Sequence, residues 1–458
     1  MLYRKAIDYL LEWKRRAVRM PLVIRGARQV GKSCLVQIFA KENFENFIEI
    51  NFERDRVSRS DFEQESAFEI VKRLELRFNC NITPGKTLLF LDEIQAAPEL
   101  FAKLRYFHEE LPELHVITAG SLLEFMLEEH EFSMPVGRVE YFHLGPMSFS
   151  EFLLAAGKNS WGDFLDNYQL GDDFPNSLHH ELSHMLQLYF CIGGMPKVID
   201  TYIKSNSLRE CDIIKGSIVE TYIDDFAKYG RRINHQRLLH VFNAVPRMVG
   251  EKVRYVNISR DDSSREVSKA LHLLESARVF SRVNHSASRG LPLDAEIKSN
   301  IFKLLVLDVA LLVYQCGLNL ADIQDIDKLT CINNGALAEQ LIGQHLLYRK
   351  DLYRTPRIHY WAREKPSSNA EIDYVIAVGS QIVPIEVKAG KTGSLRSLNQ
   401  FIYERQLPLG LRFNMDIPSL VNSSGKLTNG NEYSFQLISL PLYMVEQAER
   451  MIKSIKID

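Results

Sequence analysis

The sequence predicts an α/β protein whose N-terminal part is a parallel sheet covered by helices, and three observations predict it. A short apolar run, Leu22 to Ile24, breaks at Gly26 and gives way to a helix-like pattern from Lys32. A second apolar run, Thr87 to Leu91, ends in the acidic pair Asp92-Glu93. Short strands alternate with helical stretches as far as Gly120, which is the pattern of βαβ units in a parallel sheet.

The break after the first strand carries chemistry. Gly26 to Ser33 reads Gly-Ala-Arg-Gln-Val-Gly-Lys-Ser and fits G-x-x-x-x-G-K-S. Glycines at those places let backbone N–H groups close on a triphosphate, Lys32 reaches its β- and γ-phosphates, and the Ser33 hydroxyl binds Mg²⁺. The helix starting near Gly31 adds its positive N-terminal end. The expected ATP-binding set is Gly26, Ala27, Arg28, Gln29, Val30, Gly31, Lys32, Ser33 and Cys34. A chance glycine-rich turn would lack the strand before it and the helix after it.

The second apolar run supplies what such a site needs. In P-loop NTPases the first carboxylate, here Asp92, holds Mg²⁺. The second, Glu93, would orient and polarise the attacking water. An acidic pair after a strand is common by itself; following Gly26–Ser33 in this order, it completes an ATP site.

The remaining elements follow in order. Residues 1–20 suggest an amphipathic helix, with Leu10, Leu11 and Trp13 against Lys14, Arg15 and Arg16, read as a solvated face before the first strand. Lys32 to Ala40 is helical, Phe47 to Phe52 alternates as a strand, Ser60 to Phe78 is a longer helix, and Pro84-Gly85 is a turn. Pro98 to Glu110 is helical and His115 to Ala119 is a fourth strand closed by Gly120-Ser121. Ligands lie beyond strand C-termini in such sheets, so Ser121, or Thr118, is placed to meet the γ-phosphate or the water. Ser121 has a second reading, as the cap of a helix over residues 122–129.

Length and composition set bounds. A chain of 458 residues exceeds one hydrophobic core and suggests about three domains. The net charge of −2 leaves any nucleic-acid surface to be local. Six scattered cysteines without a C-x-x-C pair argue for a reducing compartment and against a zinc ribbon or disulfide framework. The N-terminal segment is charged and amphipathic, unlike a signal peptide, and the apolar run Leu304 to Val313 is too short to span a bilayer. A soluble, cytoplasmic protein with no membrane partner is expected.

Further motifs carry a family resemblance. Arg25 to Ser33, Leu91-Asp-Glu-Ile-Gln95, Thr118-Ala-Gly-Ser121, Gly137-Arg138 and Pro146-Met-Ser-Phe-Ser-Glu-Phe152 occur in that order. Together they resemble the bacterial and archaeal AAA-family ATPases that carry a C-terminal domain of unknown function. Tyr189-Phe-Cys-Ile-Gly-Gly-Met-Pro196, in a helical region from about 180 to 230, is similar to that family's Gly-Gly-x-Pro element. The resemblance implies that Arg138 lies near the nucleotide as an arginine finger or sensor, supplied within a homo-oligomer. The plainer reading is a surface arginine paired with a carboxylate.

Residues 231–300 differ in character, holding thirteen Lys or Arg against seven acids. Ser263 to Ala277 has helix spacing, with Val267, Ala270, Leu271 and Leu274 on one face, and Val279 to Val283 suits a following wing strand. The segment is similar to the family's winged helix, with Arg265, Ser268 and Lys269 facing a nucleic-acid groove. One departure is that only Ile258 to Asp262 separates this helix from the preceding segment, so the usual middle helix is truncated. A basic helix is equally read as a solvated surface.

The last region begins near Asn334. Gly335 to Tyr348 is helical and carries Glu339, and His359 to Trp361 is a short strand. Two strands, Glu371 to Val378 and Gln381 to Ala389, are joined by Gly379-Ser380. Period two puts Glu386 and Lys388 on one face, where Asp373 from the neighbouring strand can meet them. This D…E-x-K arrangement resembles the PD-(D/E)XK nuclease fold. Asp373, Glu386 and Glu339 would hold a second Mg²⁺ or Mn²⁺, and Lys388 would orient or stabilise the nucleophile. Ser394 to Tyr403 would be a helix covering the sheet.

The whole reads as an AAA-type P-loop NTPase sheet over residues 1–153, a helical lid over 154–232, a winged helix over 233–330 and a restriction-endonuclease-like α/β domain over 331–458. The expected function is ATP hydrolysis coupled to action on DNA or RNA, with metal-dependent cleavage. The alternative is an ATP-switched DNA-binding or signalling protein whose nuclease-like domain does not cut. A transporter ATPase is disfavoured, since Leu-Ser-Gly-Gly-Gln does not occur between the two nucleotide motifs.

Overall fold

Two sheets organise the chain. A computed structural model describes residues 2–55, 57–64, 66–120, 137–226, 233–318, 334–349, 351–363, 370–390 and 394–455. The chain divides into two compact units, where the sequence suggested four domains. The first is Met1–Gly145 with Ser276–Val279 and Lys350–Pro356; the second is Pro146–Glu275, Phe280–Arg349 and Arg357–Asp458.

In the first unit, α1 (Ala6–Arg15) precedes β1 (Leu22–Arg25), α2 (Lys32–Asn43) and β2 (Asn46–Asn51). Then follow α3 (Ala67–Phe78), β3 (Thr87–Asp92), α4 (Leu104–Glu110), β4 (His115–Gly120) and β5 (Glu140–His143). The strands lie in the order β2-β3-β4-β1-β5, all parallel. All six residues of β3 and of β4 are buried, as expected where helices cover both faces. Between β1 and the loop after β5 the backbones close tightly: a Cβ on Gly26 would stand 2.3 Å from the Leu144 carbonyl oxygen. Only glycine fits there.

Three expectations shift. The N-terminal helix is a core element, not merely a solvated face, because Leu10 and Trp13 are wholly buried and the Trp13 indole donates to the Met20 carbonyl at 3.1 Å. The helix foreseen from Ser60 splits into a 3₁₀ turn, Val57–Phe62, and α3, capped by Ser66. Ser121 and the helix foreseen over 122–129 lie outside the described residues, as do Arg231, Arg232 and Cys331.

In the second unit, α5 (Phe149–Ala155), α6 (Asn176–Ile192), α7 (Pro196–Ser205) and α8 (Leu208–Phe226) precede α9 (Ser264–Ser276). Then come β6 (Phe280–Ser286), β7 (Ile297–Val306), α10 (Val309–Gln315), α11 (Asn334–Leu347), β8 (Ile358–Ala362), β9 (Glu371–Val378) and β10 (Gln381–Val387). Then follow α12 (Arg396–Arg405), β11 (Leu409–Asn414), β12 (Ser419–Lys426), β13 (Glu432–Pro441) and a final helix, α13 (Ala448–Ser454). The eight strands run β12-β13-β11-β10-β9-β8-β6-β7. As foreseen, a helix covers this sheet: Leu398, Phe401 and Ile402 of α12 share a core with Trp361, Ile372 and Val375.

The foreseen wing strand has a different place. β6 pairs antiparallel with β7 on one edge and parallel with β8 on the other, so it is an interior strand of the C-terminal sheet. β6 and β7 therefore share one sheet with strands that follow the boundary foreseen at 330/331. The helix before it, α9, buries Val267, Ala270, Leu271 and Leu274 as its spacing predicts.

Two motifs of this unit turn out to be packing devices. Gly193 and Gly194 end α6 against Met147 and Asp308. The Met147 amide donates to the Gly194 carbonyl at 2.6 Å, and the Tyr189 hydroxyl donates to the Met147 carbonyl at 2.5 Å. Asp308, fully buried, accepts from the amides of Gly194 (2.7 Å), Ala310 (3.0 Å) and Leu311 (3.3 Å) and so caps α10. Gly193 has φ +67°, and a Cβ there would lie 2.0 Å from the Asp308 carboxylate.

Candidate functional site

The loop between β1 and α2 has the form that the G-x-x-x-x-G-K-S spacing demands. Gln29 and Gly31 take left-handed backbone angles (φ 65° and 91°), and α2 starts at Lys32. The first amides of that helix face the loop, giving a positive end with backbone donors for an anion. Lys32 folds over the loop and donates to the carbonyls of Gly26 (2.9 Å) and Ala27 (2.8 Å). Arg28 lies 3.9 Å from Glu53 in an ion pair, and Cys34 is exposed in the first turn of α2.

β3 delivers Asp92 to the same place. Ser33 Oγ is 3.0 Å from both Asp92 carboxylate oxygens, and Asn51 at the end of β2 donates its amide to Asp92 Oδ2 at 2.9 Å. Burial, and after it the charge of Glu93, push the Asp92 carboxyl up to about 6. A buried carboxylate beside a hydroxyl is a set of hard oxygen donors that fits Mg²⁺. Glu93 follows in a left-handed conformation (φ 51°), and Gln95 Nε2 donates to its Oε2 at 2.5 Å. Asn51 and Gln95 were not foreseen; the signal for Asn51 was a polar residue ending the strand beside β3.

Thr118 is occupied differently from its expectation, because its buried hydroxyl donates to the Leu91 carbonyl at 2.8 Å and ties β4 to β3. Ser121 lies outside the described residues. Arg138 takes the plainer arrangement, half exposed and paired with Glu109 at 2.8 Å.

The second unit gathers the four residues foreseen near its sheet and adds Lys303 and Glu371, with Lys252 beside them. Lys388 Nζ is 2.5 Å from Glu386 Oε1, and the Val387 amide donates to Asp373 Oδ2 at 2.8 Å, so the two strands meet as period two predicts. Glu339 comes from α11, and the Tyr374 hydroxyl donates to its backbone carbonyl at 2.8 Å. Among these carboxylates stands Lys303 of β7, only 3% exposed. Its Nζ lies 3.0 Å from Glu339 Oε2, 2.5 Å from Glu371 Oε1 and 3.7 Å from Asp373 Oδ1. Lys252 closes on the other Glu371 oxygen at 2.8 Å.

Sequence reasoning missed Lys303 and Glu371. Lys303 is a single charge within the apolar run Ile301 to Val306, and Glu371 sits two residues before Asp373 on the same strand face. Burial would lower the Lys303 pKa, but the charges of Glu339, Asp373 and Glu371 outweigh it and hold the ammonium well above its usual range. Burial, then the charge of Asp373, raises the Glu339 and Glu386 carboxyls. The residues foreseen for a second Mg²⁺ or Mn²⁺ do not fit a divalent ion as they stand. The Lys303 ammonium already pairs with Glu339 and stands 3.7 Å from Asp373, Lys388 takes Glu386, and among the described residues no group of three or more His, Cys, Asp or Glu is arranged to hold a metal.

Of the three residues foreseen to face a groove, Ser268 is half-buried. Arg265 and Lys269 are exposed on α9, as are Arg254 and Arg260 before it. Other basic residues of the region are held internally: Arg237 pairs with Asp262 and Glu266 (2.6 Å each), and Arg282 pairs with Glu275 (2.8 Å). No described helix is long and apolar enough to cross a membrane.

Comparisons with known proteins accord with the first unit. Residues 18–153 match the family described as an AAA domain, a P-loop nucleotide-binding module. Residues 183–322 and 334–442 match two domains of unknown function, DUF8612 and DUF4143. Among solved structures, the Aeropyrum pernix ORC2 protein is 13% identical with a TM-score of 0.32, over 70% of this chain and 92% of that one. The Thermotoga maritima RuvB Holliday junction branch migration motor is 15% identical with a TM-score of 0.31, over 62% and 90%. C. elegans PCH-2 is 13% identical with a TM-score of 0.27, over 46% and 66%. Likenesses of this size carry no argument about activity. No curated protein matches the chain.

Proposed function

We propose that the chain binds and hydrolyses ATP in its first unit and uses the cycle to act on nucleic acid through its second. The observation that carries the first half is Asp92, placed at the end of β3 with Ser33 at 3.0 Å and Asn51 at 2.9 Å, beside the loop from Gly26 to Ser33. The loop amides and Lys32 would hold the phosphates, and Ser33 and Asp92 would hold Mg²⁺, which neutralises charge developing on the γ-phosphate. Glu93 would take up hydrogen bonding from the attacking water, with Gln95 fixing its carboxylate. Ser121 is proposed to meet the γ-phosphate. Arg138, on the surface, would serve a neighbouring copy in a homo-oligomer by exchanging Glu109 for the nucleotide.

The second half rests on the exposed Arg254, Arg260, Arg265 and Lys269 and on the nuclease-like Asp373–Glu386–Lys388 arrangement. Of the two readings, cleavage or ATP-switched binding, Lys303 among the carboxylates favours binding without cutting. The test is incubation with plasmid and with DNA and RNA oligonucleotides, in Mg²⁺ or Mn²⁺, with and without ATP. Retention of nucleic acid that weakens steeply with salt, with intact strands, is the expected result. Metal-dependent cleavage lost in Asp373→Ala would restore the nuclease reading; absence of retention at low salt would remove nucleic acid as a partner.

A further inference from the structure

We infer that Lys303 is the resident cation of the carboxylate cluster in the second unit, standing where a divalent metal would otherwise sit. The inference deepens the reading that this domain binds without cutting, and rests on it. Lys303 is 3% exposed, and a buried ammonium persists only where carboxylates surround it. Three do. Glu339 and Glu371 lie within 3.0 and 2.5 Å of its Nζ, and Asp373 at 3.7 Å completes the cage from the strand that also carries Glu371.

The flanking charges are arranged in the same way. Lys388 takes one oxygen of Glu386 (2.5 Å), and Lys252 takes the outer oxygen of Glu371 (2.8 Å). Four carboxylates thus face three ammonium groups. The Tyr360 ring lies 5.7 Å from Lys303 Nζ and gives the ammonium an aromatic wall.

A divalent ion needs its oxygens at about 2.0–2.1 Å for Mg²⁺, in near-octahedral array. Oxygens already 2.5–3.0 Å from an ammonium nitrogen cannot reach such an ion unless the lysine withdraws. The nucleophile-positioning role foreseen for Lys388 is likewise replaced by its bond to Glu386. Glu386 Oε2 is buried with no hydrogen-bond partner among the described residues, so this carboxylate keeps one oxygen that its pair with Lys388 does not use.

The substitution Lys303→Met should therefore create a metal site. The experiment titrates the full chain with Mn²⁺ in the absence of nucleotide and nucleic acid, and reads free Mn²⁺ by its electron paramagnetic resonance signal. Wild type and Asp373→Asn should titrate alike. Lys303→Met should bind one additional Mn²⁺ at least tenfold more tightly, and adding Asp373→Asn to it should erase the gain. Wild-type binding that falls tenfold in Asp373→Asn would overturn the inference, as would a folded Lys303→Met protein that gains nothing. Should Lys303→Met not fold, Lys303→Gln replaces it, and the wild-type comparison with Asp373→Asn still decides. Nucleotide and nucleic acid are left out, so a failed ATPase or binding assay would overturn the proposed function without touching this result.

Discussion

Both units gather buried carboxylates at their sheets, and they treat them in opposite ways. In the first, Asp92 is held by a hydroxyl and an amide, both neutral, from Ser33 and Asn51. In the second, Glu339, Glu371, Asp373 and Glu386 are held largely by ammonium groups from Lys252, Lys303 and Lys388. Neutral donors orient a carboxylate and leave its charge for an incoming cation, whereas an ammonium cancels that charge from within. The same residue type at a similar place can thus make a cation site or a sealed ion-pair network.

The sharpest test of this contrast is Lys32→Ala. It removes the cation proposed to meet the phosphates, which here donates to the Gly26 and Ala27 carbonyls, and ATP turnover should drop by about 10²–10³-fold by phosphate release. Retention of wild-type turnover would mean that the first unit is not the ATP site. Glu93→Gln should cost about 10²–10⁴-fold in turnover while ATP binding, measured by fluorescent-nucleotide titration, survives. Equal loss of binding would reassign Glu93 to ground-state structure.

A smaller effect is expected where a carboxylate works for the fold alone. Asp308→Ala leaves the buried amides of Gly194, Ala310 and Leu311 without their acceptor and should cost roughly 3 kcal/mol by urea unfolding. A change under about 1 kcal/mol would show that the Gly193-Gly194 turn does not depend on it.

The first unit should be sensitive to acid. There, burial and then Arg19 and Lys14 lower His115 to about 4, and burial with Arg278 and Arg25 lowers His143 to about 3. Unfolded histidine protonates near 6.5, so the unfolded state takes up protons first and the first unit loses stability as pH falls from about 6.5 towards 4. Each histidine should contribute roughly 1–3 kcal/mol of that loss, and His115→Phe should flatten the dependence seen in urea midpoints at pH 7.5 and 5. An unchanged dependence in both His115→Phe and His143→Phe would place the acid sensitivity elsewhere. The smallest change is expected from Arg138→Ala, whose half-exposed pair with Glu109 should be worth less than about 1 kcal/mol of stability. Its turnover, mixed with a Lys32→Ala protein, separates the surface pair from a finger acting between copies: partial rescue supports the finger, and none at any ratio removes it.

Much of the first unit was legible because its chemistry is written in contiguous residues. Gly26 to Ser33 is one loop, and Asp92-Glu93 ends one strand, so spacing alone named the candidates that stand together here, Lys32, Ser33, Asp92 and Glu93, though not Asn51 or Gln95. The strand pair β9–β10 was legible for the same reason, since period two fixes which side chains share a face. Tertiary structure alone decided what filled the space between them. Lys303 comes from a strand 70 residues before Asp373, and periodicity reports that a position is buried without saying whose charge it will meet. The place of β6 was decided in the same way, because a strand's second edge is filled by whichever segment the chain brings back, here β8. Local pattern sets the elements and the loop that can cradle a phosphate; long-range pairing of charge and edge determines whether a carboxylate cluster is open to a metal or already closed by a lysine.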